Sequence, residues 1–405
     1  MALAVAVVLV AVSVIGGGEV ERPYIETKPD PEAGTPEIER AGFIRANEAC
    51  EPGLGGSFVD ESLGFEARSV LSGLDAPTVL EFYDESSAFI GQRDGLVRRW
   101  DLDTGDLTTV IDLTEETGTE RDQGLLGLAV TPDRRHLLVH HTTDDESKII
   151  AQPLDDGVPT LTGRIDVLTV EQPTAQHNGG SIVFDADGNL WASFGDGGGQ
   201  GDRYSNAQDP TTPLGSILRM QVDLADLTLS GAPGNPYLDS DDGHPWAFAI
   251  GIRNPFRISI DPSTGEVWVA DVGQACVEEI SVLDPETDSG ANLGWPGFEG
   301  TRHFLGELED PHHAPVFDFG RSGGFCAVVG GEVYRGSAID GLAGSYLFTD
   351  YCASEIFVLE PGSDRAIATG VEVQTPLDIT AHPSGELYVV SMPGEIHRLV
   401  PAGGP

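Results

Sequence analysis

The sequence predicts an all-β protein, a six-bladed β-propeller built from four-stranded antiparallel blades. From residue 50 to about Val400, short runs of β-branched and aromatic residues recur between Asp, Gly, Pro or Asn turns. No amphipathic stretch of helical length interrupts them. Several of the runs also resemble one another, as expected of hairpin units that stack around an axis. A β-sandwich is the alternative architecture.

The N-terminal region precedes the folded domain. Residues 1–18 contain an apolar run of the length typical of a signal peptide, so we expect an exported protein. The run has no preceding Lys or Arg and no clear cleavage site, so an uncleaved N-terminal anchor is the alternative. We expect membrane attachment only through such an anchor. Residues 19–49 are acidic and Pro-rich without hydrophobic period, which predicts a linker. The propeller domain is expected at residues 50–405.

The repeated units are short strand-turn-strand segments. Three of them are IVFDADGNLWASFGDGG from Ile182, ISIDPSTGEVWVADVGQ from Ile258 and ITAHPSGELYVVSMPGE from Ile379. A weaker copy starts at Leu128, and further hairpins start at Phe89 and Tyr346. Their number is consistent with about six blades, since each hairpin must stack on its neighbours to bury both faces.

The charge of the chain excludes some classes of partner. It has 22 Lys and Arg against 66 Asp and Glu, a formal net charge of −44. Such a surface repels nucleic acid and anionic membranes. Because the acids are dispersed, a well-hydrated surface is favoured over an acidic partner-binding region.

The four cysteines predict disulfides. They are Cys50, Cys276, Cys326 and Cys352, an even number without CxxC spacing, which in an exported chain favours two disulfides over a zinc site. Pairing of Cys326 with Cys352 is preferred and would leave Cys50 for Cys276. Three connectivities are open to four cysteines, and buried free thiols are the alternative.

The most unusual local string is Gln176-His177-Asn178-Gly179-Gly180. It precedes a predicted strand, and the two glycines would let the backbone approach a ligand closely. An imidazole at this position has the chemistry of a general base. A structural loop histidine is the alternative.

This string opens an ordered set that resembles the glucose/sorbosone dehydrogenase family. HNGG is followed by FDADGNLWASFGDGG, GSILRM, IGIRNPFR and NLGWP, and the similarity covers roughly Leu63 to Val400. The resemblance implies a six-bladed propeller. It also implies oxidation of an aldose sugar at its C1 hydroxyl to a lactone, with pyrroloquinoline quinone (PQQ) as hydride acceptor and Ca²⁺ as its partner. The final electron acceptor and the oligomeric state stay open.

The resemblance also implies roles for single residues. His177 would be the general base, and Asp196 would orient it. Arg253 and Asn254 would contact the quinone oxygens, where a cation and an amide donor stabilise developing negative charge. The alternatives are a turn-forming Asp196 and an Arg253 that pairs with one of the many acids.

Further positions match the cofactor and metal segments of the family. Asp122 stands where relatives carry a Gln at the cofactor. The backbone carbonyls of Gly273 and Gln274 would bind the Ca²⁺ next to the cofactor, and Glu279 would bind a second, structural Ca²⁺. The alternatives are a hairpin bend for the first segment and a solvated strand edge for Glu279.

Three cations that relatives use to bind the carboxylates of PQQ are absent. The chain reads Thr375-Pro376-Leu377-Asp378 where those relatives have Arg-x-Arg-Asp, and Cys352 lies near the position of a Lys. Arg321 and Arg219 are candidate replacements.

Three functions therefore stay open. The first is a PQQ-linked sugar dehydrogenase, and the second is a calcium-dependent hydrolase. The third is a non-catalytic calcium-containing propeller that binds carbohydrate or protein, as in relatives similar to hedgehog-interacting proteins.

Overall fold

The computed structural model describes residues 8–12, 20–25, 27, 55–306 and 312–403, and every regular element in them is a β-strand. The strands that precede the first blade are β1 (Val8–Val12), β2 (Val20–Ile25), β3 (Ser57–Asp60) and β4 (Phe65–Ser72). Much of the expected signal peptide and linker lies outside the described residues. Within those residues, no helix has the length and apolar character needed to cross a membrane.

The remaining strands form six blades and one separate two-stranded sheet, which confirms the predicted six-bladed propeller. Blade 1 consists of β5 (Pro77–Phe82), β6 (Ser87–Gln92), β7 (Leu96–Asp101) and β8 (Leu107–Asp112). Blade 2 consists of β9 (Leu125–Val130), β10 (His136–Thr142), β11 (Glu146–Asp155), the short β12 (Val158–Pro159) and β13 (Ile165–Glu171). Blade 3 consists of β14 (Ile182–Phe184), β15 (Asn189–Phe194), β16 (Ser216–Val222), the short β17 (Leu229–Gly231) and β18 (Ala247–Ile250).

The second half of the ring follows the same plan. Blade 4 consists of β19 (Pro255–Ile260), β20 (Val267–Asp271), β21 (Val277–Leu283) and β25 (Phe317–Gly320). Three short strands lie between β21 and β25 in the chain: β22 (Ala291–Asn292), β23 (Phe298–Glu299) and β24 (Arg302–His303). β22 pairs with β18 of blade 3, and β23 pairs with β24. Blade 5 consists of β26 (Val328–Val333), β27 (Tyr346–Asp350), β28 (Glu355–Leu359) and β29 (Arg365–Glu372). Blade 6 consists of β30 (Pro376–Ala381), β31 (Leu387–Ser391), β32 (Glu395–Pro401) and the N-terminal β4.

The ring closes through its first and last strands. The innermost strand of every blade contacts the innermost strand of the next, and β30 of blade 6 contacts β5 of blade 1. Blade 6 combines three C-terminal strands with β4, which pairs antiparallel with β32 so that Phe65 lies opposite Pro401. This pairing joins both ends of the domain in one sheet and leaves the ring without an open end.

Two N-terminal strands extend the outer edges of other blades. β2 pairs parallel with β13 of blade 2, and β3 pairs parallel with β29 of blade 5. The side chain of Arg22 donates a 2.7 Å hydrogen bond to the carbonyl of Leu227 in blade 3. The part of the expected linker that the structure describes therefore includes a strand that pairs with the propeller.

The repeats of the sequence are the inner hairpins of the blades. The segments from Ile182, Ile258 and Ile379 form β14–β15, β19–β20 and β30–β31. All residues of β6 and β15 are buried, because each blade packs against a neighbour on both faces. Between blades 4 and 5, the rings of Trp268 and Tyr346 stack with their centroids 4.3 Å apart.

The predicted Cys326–Cys352 disulfide is confirmed. The Asp350 carboxylate organises its loop by accepting hydrogen bonds from four backbone N–H groups, including those of both cysteines. Cys276 is also disulfide-bonded. The predicted pairing of Cys276 with Cys50 lies outside the described residues.

A buried arginine crosses the propeller axis. Arg257, on β19 of blade 4, forms an ion pair with Asp378 of blade 6, with 3.1 Å between its Nε and the carboxylate. Its two terminal nitrogens donate to the carbonyls of Thr78 in blade 1 and Leu126 in blade 2, at 2.6 and 2.8 Å. One guanidinium thereby connects four blades.

A small cavity of about 60 Å³ beside Arg257 is lined by more acidic than basic side chains. Glu81, Glu332 and Asp378 line it together with Arg257. Burial raises the pKa of Glu81 to about 7 and raises the pKa of Glu332 well above its ordinary value. The backbone N–H of Val130 donates to Glu81 at 3.0 Å. The axis therefore holds carboxyl groups that ionise with difficulty.

We expect Glu81→Gln to stabilise the protein at about pH 8 but not at about pH 4. The carboxyl pKa is higher in the folded protein than in the unfolded chain, so the unfolded chain loses its proton first as the pH rises, and wild-type stability falls up to about pH 7. Gln does not titrate and keeps an oxygen for Val130. The gain in unfolding free energy should reach ~1–3 kcal/mol in urea titrations.

The matched control for this variant is Glu360→Gln, which removes the same charge from an exposed position. Its difference from the wild type should stay within about 0.5 kcal/mol across the same pH range. A gain for Glu81→Gln that does not depend on pH would contradict the assignment of a raised pKa.

Candidate functional site

A cavity of about 450 Å³ opens at one end of the axis, on the far side of the carbonyls that Arg257 binds. Thr78 and Leu126 form part of its floor. Its walls are mainly the loops between successive blades. Loops that converge at the mouth of a propeller can bring residues distant in sequence to one ligand.

His177 lines this cavity, and a buried carboxylate holds its ring. The Nδ1 atom of His177 lies 2.6 Å from Oδ1 of Asp196. The other oxygen of Asp196 accepts a 2.9 Å hydrogen bond from the indole of Trp295. Since Asp196 is fully buried and uses both oxygens, it fixes the orientation of the imidazole. The Nε2 atom is the ring nitrogen left for a ligand.

The backbone at His177 is held from three sides. Its φ angle of 55° lies in the left-handed region that non-glycine residues rarely adopt. Its N–H donates to the Asp122 carboxylate at 2.8 Å, and the N–H of Gly179 donates to the Asn254 side chain at 3.2 Å. At Gly195, an added Cβ would clash with the His177 carbonyl, so only glycine fits there. These contacts stabilise a strained loop.

The adjacent Arg253–Asn254 turn is organised by Asp271. The two Asp271 oxygens accept the backbone N–H groups of Arg253 and Asn254, at 2.9 and 2.6 Å. Burial raises the Asp271 pKa to about 7, although these hydrogen bonds oppose the shift. The Arg253 guanidinium donates to the Val272 carbonyl at 2.7 Å and lies 5.7 Å from the centre of the Trp295 ring. Its Nε atom is buried without a partner.

A second group of acids lies beside Asp271, away from the cavity. Glu279 faces Asp271 across β20 and β21, and Glu299 and Asp318 lie nearby. Burial raises the pKa of Glu279 well above its ordinary value, and the charge of Asp271 adds to this shift. One Glu299 oxygen is buried without a partner, and it belongs to a side chain only 2% exposed. Carboxylate oxygens are the donors that Ca²⁺ prefers, although no three of these carboxylates have oxygens within 4.8 Å of one another in the structure.

The carbonyls of Gly273 and Gln274 are bound by an arginine. Arg321 donates to the Gly273 carbonyl at 2.7 Å and to the Gln274 carbonyl at 2.9 Å. Two unit positive charges about 4 Å apart repel by roughly 4 kcal/mol at an effective dielectric constant of about 20, and a divalent ion is repelled more strongly. These two carbonyls therefore do not fit the Ca²⁺ expected from the sequence while Arg321 is in place.

The cavity contains cations that the sequence did not single out. Arg93 and Arg121 line it together with Arg253 and Arg321, and Asp122 is the one acid among its lining residues. Arg219, a candidate replacement for the missing cations, does not line the cavity. Its side chain lies over Trp191 in blade 3, 3.8 Å from Asp185. A surplus of arginines fits a planar anion with several carboxylates, which is the chemistry of PQQ.

Two positions at or next to those where relatives carry basic residues have an apolar or an aromatic side chain in this protein. Leu377 and Tyr351, the latter next to Cys352, line the cavity wall. Part of the wall is thus uncharged where relatives carry basic side chains. The cations that line this cavity are Arg93, Arg121, Arg253 and Arg321.

Most sequence-predicted site residues meet around this cavity. His177, Asp122, Arg253, Asn254 and Gly273 line it. Asp196 lies directly behind His177. The side chain of Gln274 instead accepts the Gly201 N–H at 2.6 Å, and Glu279 belongs to the separate acid group.

Three contributors were missed from the sequence. Trp295 could have been found, since it lies in the NLGWP string, but its contact with Asp196 was not apparent. Arg93 and Arg121 lie in segments without a distinctive pattern. Only the folded chain brings these arginines to the cavity.

Comparison with known proteins places this architecture among related chains. The family model described as glucose/sorbosone dehydrogenase matches residues 74–398. The HIPL1 protein of Arabidopsis thaliana is 31% identical over 235 residues, which are 52% of this chain and 32% of that protein. The match therefore spans about a third of the length of that relative.

Two further similarities cover more of the chain. The aldose sugar dehydrogenase YliI of Escherichia coli (strain K12) is 25% identical over 358 residues, 81% of this chain and 91% of that protein. The solved structure of a PQQ-bound aldose sugar dehydrogenase from Streptomyces coelicolor has a TM-score of 0.64 at 22% identity, covering 82% of this chain and 96% of its own. At that identity the likeness establishes a shared fold.

The acid group around Glu279 leads to a prediction about calcium. We expect Ca²⁺ at about a hundredfold above its dissociation constant to stabilise the protein by ~3 kcal/mol, because the ion binds the folded state alone. Glu279→Gln should remove most of this gain. Thermal unfolding with EGTA or with Ca²⁺ measures both effects.

The control is Asp364→Asn, which removes a charge from a side chain that is 98% exposed. Its response to Ca²⁺ should equal that of the wild type. An undiminished calcium effect in Glu279→Gln would show that the ion binds elsewhere.

Proposed function

Because the chain belongs to the glucose/sorbosone dehydrogenase family, we propose that it is a sugar oxidoreductase that oxidises the C1 hydroxyl of an aldose with PQQ as cofactor. One observation carries the proposal: at the cavity, Asp196 binds Nδ1 of His177 and leaves Nε2 available to a ligand. This is the arrangement of a general base with an orienting carboxylate.

In the proposed reaction His177 accepts the proton of the sugar hydroxyl at Nε2. The imidazole then becomes positively charged, and the buried Asp196 carboxylate 2.6 Å from Nδ1 stabilises that charge. Trp295 keeps Asp196 in place through its indole N–H. Bound PQQ would supply the hydride acceptor, which no side chain of the protein provides.

The cofactor would be held by cationic and amide groups of the cavity. Arg253 and Asn254 stand beside His177, and Asp271 fixes their backbone. Arg121 and Arg321 add positive charge for carboxylates. The Asp122 carboxylate accepts a hydrogen bond from the His177 N–H. Its proposed role in cofactor binding is therefore indirect, because it holds His177 in position.

Of the two calcium sites that the sequence resemblance implies, the proposed enzyme keeps only the structural one. The acid group with Glu279 is the proposed structural site, while the Gly273 and Gln274 carbonyls bind Arg321 instead. The Cys326–Cys352 disulfide is compatible with the proposed export, since such bonds persist in oxidising compartments. The sugar and the final electron acceptor are not specified by the described residues.

A second candidate function is a binding propeller without catalysis. The uncharged wall at Leu377 and Tyr351 favours it, because cofactor affinity would fall without those cations while the fold is unaffected. Such a propeller would use the same cavity for carbohydrate or protein.

Purified protein supplied with PQQ should reduce an artificial dye in the presence of aldose sugars. His177→Ala should lower kcat about 10²–10⁴-fold, since it removes the proton acceptor. Asp196→Asn should lower kcat with little change in KM, because it alters the imidazole orientation and not the binding surface. Steady-state kinetics with the dye measures both.

The control is His303→Ala at an exposed position outside the cavity lining, which should retain wild-type kinetics. Circular dichroism should show that all three variants remain folded. If the wild type neither binds micromolar PQQ nor reduces the dye with any aldose, the dehydrogenase proposal fails and the binding propeller replaces it.

A further inference from the structure

We infer that the Arg321 guanidinium takes the place of a divalent cation at the cavity, so that this protein binds an anionic ligand there without calcium. The inference rests on the proposed function only for the identity of the anion. Its basis is a set of hydrogen bonds that use the carbonyl oxygens of Asp271-Val272-Gly273-Gln274, here called the DVGQ loop.

Arg321 directs three donor nitrogens at fixed acceptors. One terminal nitrogen binds the Gly273 carbonyl at 2.7 Å, the other binds the Gln274 carbonyl at 2.9 Å, and Nε binds the Glu278 carboxylate at 2.5 Å. The two carbonyls converge on one guanidinium. A hard cation would need the same oxygens at 2.3–2.6 Å, in the space that the guanidinium occupies.

The surroundings hold Arg321 in this position. Its backbone N–H donates to the Cys276 carbonyl at 3.2 Å, directly after β25. Glu278 is fully buried, and its second oxygen accepts the Val328 N–H at 3.0 Å and the Gly273 N–H at 3.3 Å. Because Glu278 would otherwise be a buried charge without a cation, the ion pair keeps the guanidinium at the DVGQ loop.

The guanidinium also faces the cavity. Arg321 lines the cavity, and its side chain is 25% exposed. An arginine has five N–H donors, and three are used here, which leaves one on each terminal nitrogen. A carboxylate or quinone oxygen in the cavity would accept these hydrogens and meet a fixed positive charge. A chelator cannot remove this charge, in contrast to a bound metal ion.

Calcium binding by the protein alone tests the inference without any cofactor. Equilibrium dialysis should count one more bound Ca²⁺ per chain in Arg321→Ala than in the wild type, because the substitution frees both carbonyls. Arg135→Ala, which removes a cation whose side chain is 78% exposed, should match the wild type. Equal calcium counts in Arg321→Ala and the wild type would overturn the inference.

Arg321→Ala leaves Glu278 without its ion pair, so the variant could lose stability. In that case Arg321→Ala combined with Glu278→Gln removes the unpaired charge and keeps an oxygen for the Val328 N–H. Because Glu278→Gln removes the carboxylate beside the freed carbonyls, the readout for this double variant is PQQ binding in EGTA. Binding at least about tenfold weaker than that of the wild type supports the inference, and equal binding overturns it.

PQQ binding provides the second readout. By fluorescence titration, the wild type should bind PQQ equally well in EGTA and in Ca²⁺, and Arg321→Ala should bind at least about tenfold more weakly in EGTA. The Glu279→Gln variant lacks the proposed structural Ca²⁺ site, and PQQ binding by that variant that disappears in EGTA and returns with Ca²⁺ would overturn the inference. Absence of PQQ binding under both conditions would count against the proposed function, and the calcium count would still decide the role of Arg321.

Discussion

The ring depends on the buried guanidinium of Arg257. It reaches from blade 4 to a carboxylate of blade 6 and to backbone carbonyls of blades 1 and 2, close to the axis where the inner strands converge. Loss of one partner of such a buried pair typically costs about 3–5 kcal/mol, because an uncompensated charge stays behind. The carbonyls of Thr78 and Leu126 that it binds belong to residues on the cavity floor, so the same contacts that connect the blades also support the site.

Above that floor, buried carboxylates organise the backbone of the site loops. Asp122 binds the N–H of His177, Asp196 binds its ring, and Asp271 binds two successive N–H groups of the neighbouring turn. Asp350 does the same at the disulfide loop. A carboxylate that accepts several N–H groups stabilises a loop without regular secondary structure. Part of the large acidic content of the chain therefore has a structural role inside the protein.

The few cations of the chain are used selectively. Against a formal charge of −44, four arginines line a single cavity, and three of them bind backbone or carboxylate groups of its wall. Arg93 binds the carbonyls of Thr119 and Gln123. Arg253 binds the Val272 carbonyl, and Arg321 connects the DVGQ loop to Glu278. A local positive region in an acidic protein attracts an anionic ligand, which the acidic remainder of the surface repels. The cavity thus differs in charge from the exterior around it.

By itself the sequence determined the β-propeller class and the inner hairpins that begin at Ile182, Ile258 and Ile379. These features are local or periodic, because a two-residue alternation and a turn leave a direct pattern in the chain. The sequence favoured the Cys326–Cys352 disulfide among three connectivities, and the structure decided it. The sequence also brought His177 and Asp196 to attention, since both lie within one contiguous motif.

Only the tertiary structure decided which cations reach the cavity and what the DVGQ carbonyls bind. Arg93, Arg121 and Arg321 come from loops far apart in the chain, and no spacing predicts that they meet. The exclusion of Arg219 and the binding of Arg321 to Gly273 and Gln274 depend on how the blades close around the axis. Contacts between distant loops follow from ring closure and packing, which a linear motif does not record.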